Sequence, residues 1–323
     1  MKVQPALVPP AVAKWQFVEE KARTVLDAFC HREVRPPLLA PLAGLDAMGA
    51  FAHAYVAHMP WQTDPITRWY SMGPAFRSET GPFGWQQGHE IAAVVFGLAS
   101  PSAEAELYAM AGTLLRECGL PAGQLRLTLT GGEAAATHDH QAALFAGLSD
   151  LGHVPHRAAG RHGGDHVGPE MEITLNRPGG AVPLLLCRGQ RHDEVVAHLG
   201  GPATAAVGWS VDLGQVIAAL TDSNAGYQAA ISLLVAPQSA AARKVALPLS
   251  LRLRAAGFRT ELEHRDLDAD ATLARAGALG ARLVLLVPGP GGDGRLTLVD
   301  RSSGQREPIA ADALEVRVAQ LLD

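Results

Sequence analysis

Charged side chains gather in the first third of the chain, where an apolar stretch meets a Gly- and Pro-rich loop. Arg77 and Glu79 follow the apolar residues 69–76, and His89 and Glu90 open the next apolar stretch. An arginine in such a place can bind a phosphate or carboxylate through two parallel hydrogen bonds, and a neighbouring acid can orient it. The pattern predicts two strands joined by a turn at 80–88, with an anion-binding site at that end.

This stretch resembles motif 2 of the class II aminoacyl-tRNA synthetases, and within them histidyl-tRNA synthetase. The resemblance rests on Gly-Pro-x-Phe-Arg-x-Glu at 73–79, then a loop, His89 and a closing Phe-Gly. In that family the loop carries cations for ATP phosphates and the tRNA acceptor end, whereas this loop has none between Arg77 and His89. Glu90 stands where the family has a glutamine that contacts substrate.

Residues 44–58 resemble the Arg-Pro-Glu-Gly-Thr stretch that holds the substrate's ammonium group in the family. Gly44, Asp46 and Met48 stand at its Arg, Glu and Thr positions. Aspartate is one methylene shorter than glutamate, and methionine cannot replace the hydrogen-bonding hydroxyl of threonine. The resemblance therefore implies a damaged amine pocket.

Residues 161–174 match the family's histidine-specific signature only in outline. His162 stands at the catalytic arginine's position with Arg161 beside it, and Asp165 can be placed on the signature's aspartate. In the family two tyrosines line the pocket for the histidine imidazole, whereas this sequence has only His166 at those positions. Because an aromatic wall sandwiches a flat ring, their loss implies weak histidine binding. The alternative is a Gly-rich turn before a strand at 170–175, without a ligand.

Residues 188–220 resemble a further family signature that ends in motif 3. Arg191 and Asp193 match, but Asp212, Gly214 and Gln215 stand where the family has Gly, Glu and Arg. In the family this arginine holds the ATP γ-phosphate, and losing such a charged partner typically costs several kcal/mol. The resemblance therefore implies no adenylate formation, no catalytic residue and no ATP as a cofactor.

The helical pattern at 11–30 and the Pro-bearing strand at 33–42 resemble motif 1, which forms the dimer interface of the family. The resemblance implies a homodimer through residues 11–42. An ordinary amphipathic helix followed by an edge strand is the alternative, because proline cannot donate to a strand ladder.

Further helices are predicted at 102–119 and 141–151 and a strand at 124–130. Residues 138–166 are rich in histidine, but no cysteine pairs with them and glycines interrupt the one four-residue spacing. We expect loop histidines rather than a metal site: His138, His140, His153, His156, His162 and His166.

We predict a domain at 1–222, a linker at 223–228 and a second domain at 229–323, where strands and helices alternate. The second domain resembles the anticodon-binding domain of histidyl-type synthetases. Asp266, Asp268 and Asp270 lie near one of its helices and would repel a phosphate backbone. The expected fold is α+β, a class II synthetase-like antiparallel sheet core with flanking helices, followed by a small, mostly parallel α/β anticodon-binding-like domain.

The composition is that of an ordered protein, with 48% hydrophobic and 18% charged residues among 323. The formal net charge of −5 argues against tRNA as a partner. The three cysteines lack metal-ligand spacing, so we expect reduced thiols in a cytoplasmic protein. We expect neither a signal peptide nor a membrane partner.

The best-matched positions are glycines, prolines and apolar strands, while the matched catalytic positions are largely replaced. This implies a pseudoenzyme most like the regulatory subunit of ATP phosphoribosyltransferase in histidine biosynthesis. Its implied partner is the short-form catalytic subunit, with histidine as a candidate weak effector. Such subunits usually lack an anticodon-like domain and keep more of the histidine pocket. A histidyl-tRNA synthetase-like protein of another role, or a divergent active synthetase, therefore stays open.

Overall fold

The computed structural model describes residues 8–9, 11–36, 47–78, 85–131, 135–159, 170–220, 231–289 and 295–322. The chain divides into two compact units, Met1–Tyr227 and Gln228–Asp323. The predicted linker at 223–228 lies outside the described residues. Among the described helices, none combines the length and the apolar composition that a bilayer span requires.

The first unit is built on a long, mainly antiparallel sheet. Its described strands, in chain order, are β1 Arg32–Glu33, β2 Thr67–Ser78, β3 Trp85–Phe96, β4 Leu125–Gly131, β5 His156–Ala159, β6 Glu170–Leu175, β7 Leu184–Arg191 and β8 Ala206–Asp212. They lie side by side in the order β1-β2-β3-β8-β7-β6-β4-β5. Only the outermost pairs, β1 with β2 and β4 with β5, are parallel among these described strands.

Helices cover both faces of this sheet. They are α1 Ala11–Ala28, α2 Ala47–His58, α3 Pro101–Glu117, α4 Ala135–Asp150, α5 Val195–His198 and α6 Leu213–Ala219. The β3 residues Ile91, Ala93 and Val95 pack with α1, α3 and α6. The alternate residues Ala92, Val94 and Phe96 pack with α2 and α5. Successive side chains of a strand point to opposite faces, so β3 separates two apolar layers.

The second unit is a smaller α/β sheet. Its elements are β9 Leu233–Pro237, α7 Arg243–Ala255, β10 Thr260–Leu262, α8 Ala269–Ala278, β11 Leu283–Val287, β12 Leu296–Asp300, β13 Arg306–Ile309 and α9 Leu314–Leu322. The strand order is β10-β9-β11-β12-β13, with the first three parallel and the last two antiparallel. The expected α+β fold class is confirmed. The small sheet, however, is mixed rather than mostly parallel, because β12 runs antiparallel to β11, and β13, which the sequence analysis missed, pairs antiparallel with β12.

Several predicted boundaries are wrong. The predicted turn at 80–88 is shorter, because Trp85 already pairs with Ser78 at the start of β3. In the described part of the predicted strand at 33–42, only Glu33 belongs to a strand, and the backbone N–H of Val34 also donates to the Tyr70 carbonyl at 2.8 Å. Helix α4 begins at Ala135, six residues before the predicted start, and Ala135 and Ala136 at its start favour a helix. His138 and His140 are therefore helical and His156 lies on β5, whereas His162 and His166 lie outside the described residues.

Candidate functional site

The pairing of β3 with β8 shows which predicted site residues lie on the same face of the sheet. Glu90 pairs with Asp212, Ala92 with Ser210, and Val94 with Gly208. Because Ala92 and Val94 belong to the layer under α2, Glu90 faces the same side of the sheet. Two acids thus stand opposite each other at one end of this face, which we call the α2 face.

Asp212 caps a helix. It is the N-cap residue of α6, and its carboxylate Oδ1 accepts the backbone N–H of Gln215 at 3.1 Å. Such a cap satisfies one of the unpaired N–H groups at the start of a helix. An ideal Cβ on Gly214 would lie 3.2 Å from that same oxygen, so the turn is tight. The sequence carried this signal, since Asp followed three residues later by Gln before an apolar run is an N-terminus signature.

Met48 fills space above the sheet at the other end of the α2 face. It is 8% exposed and packs in the layer formed by α2, β3 and β8. A Cβ built on Gly208 would lie 2.3 Å from the terminal methyl of Met48, so that methyl sits against the glycine. The thioether offers only a weak hydrogen-bond acceptor. The side chain at this position therefore acts as apolar packing.

His89 does not join Glu90 on the α2 face. Its ring packs edge-on against Trp15 of α1, with ring centroids 5.0 Å apart. Neighbouring residues of a strand must face opposite sides, so His89 belongs to the α1 layer. The structure therefore separates these two predicted site residues.

The remaining predicted site residues lie mostly outside the described part of the chain. Arg77 pairs with Gln86 through the β2–β3 ladder, and its side chain is not described. The others fall in the segments 37–46, 79–84 and 160–169: Asp46, Glu79, Arg161, Asp165 and His166.

A buried ionic network, which the sequence analysis missed in part, joins α3 to β7 and α4. Glu104 is fully buried, and its Oε2 lies 3.3 Å from Arg191 Nη1 and 2.8 Å from His140 Nε2. Arg191 also donates two hydrogen bonds to Asp193, at 3.0 and 2.8 Å. Asp193 in turn accepts the backbone N–H of Ala206 at 2.9 Å, which fixes the start of β8.

Tyr108 stands one helical turn after Glu104 and is fully buried. Burial raises the pKa of its hydroxyl well above the usual value, and the charge of Glu104 adds to the effect. Trp209 of β8 donates from its ring nitrogen to the backbone carbonyl of Leu107 at 2.9 Å. These contacts lie on the α1 side of the sheet, opposite the α2 face, and connect α3 to β8. They are structural.

Over β3 and β8 the α2 face is acidic and apolar, whereas Arg188 of the neighbouring strand β7 pairs with Ser210 and so adds a cation to the same face. Elements β3, β8, α2 and α6 contain no lysine or arginine along their described lengths. A site for a polyphosphate needs such cations or a metal ion. Nowhere in the described residues do three His, Cys, Asp or Glu side chains group in a way that could hold a metal. What these elements provide is two carboxylates, a methionine and a helix cap.

Curated histidine–tRNA ligases resemble this chain over almost its whole length. One from Synechococcus sp. (strain RCC307) is 26% identical, over 95% of this chain and 96% of the relative. Another from Desulfatibacillum aliphaticivorans is 24% identical, over 98% of this chain and 97% of the relative. No protein-family model matches the chain.

Solved structures show the same architecture. Apo histidyl-tRNA synthetase from S. aureus superposes with a TM-score of 0.84 at 20% identity, over 98% of this chain and 99% of the other. An ATP phosphoribosyltransferase regulatory subunit/histidyl-tRNA synthetase from Bacillus halodurans C gives 0.67 at 14% identity, over 89% and 97%. The fold is that of the class II aminoacyl-tRNA synthetases. Within that class it is histidyl-tRNA synthetase-like, as the sequence resemblance predicted.

Proposed function

We propose that this chain is a catalytically inactive paralogue of histidyl-tRNA synthetase that serves as a regulatory subunit of ATP phosphoribosyltransferase. The observation that carries the proposal is the α2 face, where Glu90 opposes Asp212 and Met48 packs on Gly208. Support for the regulatory role comes from the similarity to the Bacillus halodurans C structure. The chain then contributes no chemistry and acts through subunit contacts.

The α2 face argues against adenylation for two reasons. First, opposed carboxylates raise the negative potential where the resemblance places ATP, and like charges opposite each other on paired strands are already unfavourable. Second, Gln215 offers an amide in place of the family's arginine, and its backbone N–H is already bound to Asp212. An uncharged amide cannot replace the charge-assisted bonds that a guanidinium makes to phosphate.

Met48 gives a separate argument about the amino-acid substrate. The position that holds a threonine in the family is here a buried methionine within an apolar layer. A substrate ammonium placed there would be desolvated without an acceptor, which is costly. Histidine therefore acts at most as a weak effector, and no cofactor takes part in the proposed role.

The second unit carries acids where an RNA-binding surface needs cations. Asp268 caps α8 by accepting the N–H of Ala271 at 2.7 Å, and Asp270 lies in the first turn. Asp266 forms an ion pair with Arg243 of α7. Carboxylates near a helix N-terminus stabilise that helix but repel phosphate. We propose that this unit serves as a scaffold or a protein-contact surface and does not bind tRNA.

A second function, a histidyl-tRNA synthetase-like protein of another role, is favoured by one observation. The similarity to complete histidine–tRNA ligases extends over 96% and 97% of their lengths, so the small α/β unit is included. The two functions differ in the partner, since only the regulatory subunit requires a short-form catalytic chain. Both share the proposed homodimer through residues 11–42, which light scattering would test by a mass twice that of the chain.

Co-expression with the short-form ATP phosphoribosyltransferase catalytic chain of the same organism tests the proposed function. We expect the two chains to co-purify and the catalytic rate to rise when this chain is added. The histidine–tRNA ligase of the same organism serves as the control partner and should do neither. Failure of the two chains to associate, with an unchanged catalytic rate, would contradict the proposal and favour the second function.

A further inference from the structure

A cleft of about 300 Å³ opens in the first unit on the α1 side of the sheet, opposite the α2 face. Its walls come from the end of α3, a short turn before β4, strands β4 to β6, and the segment that follows α4. The lining residues include Arg116, Leu125, Leu127, His153, Val154 and Ile173. The proposed function uses none of them.

The floor of the cleft is aliphatic. Leu127 and Ile173 are 5% and 1% exposed and belong to the main apolar core, and Leu125 packs against that core. Val154 at the rim is 76% exposed. An apolar ligand would remove such surface from water, and burial of this kind is favourable. The volume lies at the small end of the range for ligand sites.

Arg116 is held in place at the mouth of this cleft. Its Nη2 donates to Thr113 Oγ1 at 3.0 Å and lies 3.5 Å from His153 Nε2. A guanidinium has only donors, so Nε2 of His153 must be the acceptor in that contact. Burial and the charge of Arg116 both lower the pKa of His153, which keeps the ring neutral, and the backbone of Ala109 opposes this shift.

Gly112 makes room for this arrangement. A Cβ at Gly112 would lie 2.5 Å from Cε1 of His153, a distance that real contacts do not show. The ring of His153 therefore rests directly on the backbone of α3. Arg116 is in this way positioned by two side chains before any ligand arrives, which reduces the entropy lost on binding.

The charges at the cleft favour an anion. None of its lining residues is an aspartate or glutamate, whereas Arg116 is cationic and two histidines are present. Glu117, the next residue after Arg116, instead pairs with Lys21 of α1 at 4.0 Å. One arginine over an aliphatic floor suits a single carboxylate on an apolar body, because a phosphate dianion needs more donors.

We propose that this cleft binds a small aliphatic monocarboxylic acid. The carboxylate is bound by the guanidinium of Arg116, and the alkyl chain lies on Leu125, Leu127 and Ile173. An amino acid binds less well, because its ammonium group would meet Arg116 and no acid among the lining residues. The inference does not depend on the proposed regulatory role.

Three matched probes test the ligand class on the full chain by isothermal titration or ligand-observed NMR. 4-Methylpentanoate carries the carboxylate and the alkyl body, leucine adds an ammonium group, and 4-methylpentanamide removes the charge. We expect 4-methylpentanoate to bind about tenfold or more tightly than either of the others, as for a charged hydrogen-bonded pair. Absence of 4-methylpentanoate binding, or equal binding of all three, would overturn the proposal.

Two pairs of variants test the site. Arg116→Gln should weaken 4-methylpentanoate binding about tenfold or more. Arg126→Gln should not, because Arg126 is exposed on β4 between two lining leucines and so faces the other side. At the exposed rim, Ala122→Glu should weaken binding at low salt while Ala122→Gln should not. If both members of either pair behave alike in folded protein, the assigned site is wrong.

Discussion

Glu90 and Asp212 lie directly opposite each other on the neighbouring antiparallel strands β3 and β8. The second of these acids also caps α6, so its carboxylate is held at the end of the sheet. Like charges in direct opposition are unfavourable, and a chain that keeps them loses affinity for further anions at that place. Asp212 thus has a structural role as a helix cap, and we propose that the pair is also an obstacle to nucleotide binding.

Restoring the single arginine of motif 3 should not restore adenylation. Gln215→Arg leaves the opposed pair Glu90 and Asp212 unchanged, and Met48 still occupies the apolar layer over Gly208. We expect no histidine-dependent ATP–pyrophosphate exchange above that of the unmodified chain. Exchange gained by this one substitution would show that the charge at position 215 was the sole defect.

The cap at Asp212 should be measurable in the stability of the first unit. Asp212→Ala removes the acceptor for the Gln215 N–H and should lower the free energy of unfolding by about 1 kcal/mol. Asp212→Asn keeps an acceptor and removes one of the opposed charges, so it should be close to neutral. Urea unfolding compares the two variants. Equal losses in both would mean that the charge, and not the cap, is what matters.

The buried carboxylate of Glu104 should be one of the most sensitive positions in the first unit. Glu104→Gln leaves Arg191, whose side chain is 8% exposed, without a charged partner on α3. Breaking a buried pair in this way typically costs about 3 kcal/mol or more. Glu106→Gln, two residues later on the exposed face of α3, should change unfolding by less than about 0.5 kcal/mol. Similar urea midpoints for the two variants would contradict the network.

His31 should make stability depend on pH. Burial lowers the pKa of its ring to about 4, and Arg68 adds to this shift, although a bond to the Phe29 carbonyl opposes it. The unfolded chain therefore binds a proton between pH 6.5 and 4 that the folded chain does not. Stability should be complete above pH 6.5 and fall by about 2 kcal/mol between pH 8 and pH 5.

The variant His31→Gln should lose this part of the pH dependence, while His58→Gln on the exposed end of α2 should keep it. The measurement is the free energy of unfolding in urea at pH 8 and at pH 5 for each protein. A slope that is the same in His31→Gln as in the unmodified chain would assign the pH dependence to other groups.

The architecture was readable from the sequence because hydrophobic periodicity and turn residues mark most of its strands and helices. Two apolar runs predict the strands on either side of the motif 2 loop, and the side chains of each strand alternate between its two faces. The same alternation already separates His89 from Glu90, since adjacent strand residues face opposite sides. The cap at Asp212 was also encoded locally, as an acid just before an apolar helix.

Other features depend on contacts between distant parts of the chain. Met48 and Gly208 are in contact although they are 160 residues apart in the sequence, and no local pattern indicates that the methionine methyl packs on that glycine. Glu104 looks like a solvated helix acid in sequence, yet Arg191 and His140 make its full burial tolerable. Strand β13 was missed because it contains charges and a proline, which are tolerated at a sheet edge.

We propose that this chain cannot form an aminoacyl-adenylate, and ATP–pyrophosphate exchange by the unmodified protein measures this reaction itself. The assay uses saturating histidine, Mg²⁺ and ATP, with the histidine–tRNA ligase of the same organism as the positive control. We predict exchange indistinguishable from a reaction without protein, with or without histidine. Histidine-dependent exchange that grows with the amount of this chain would show that it is an active synthetase.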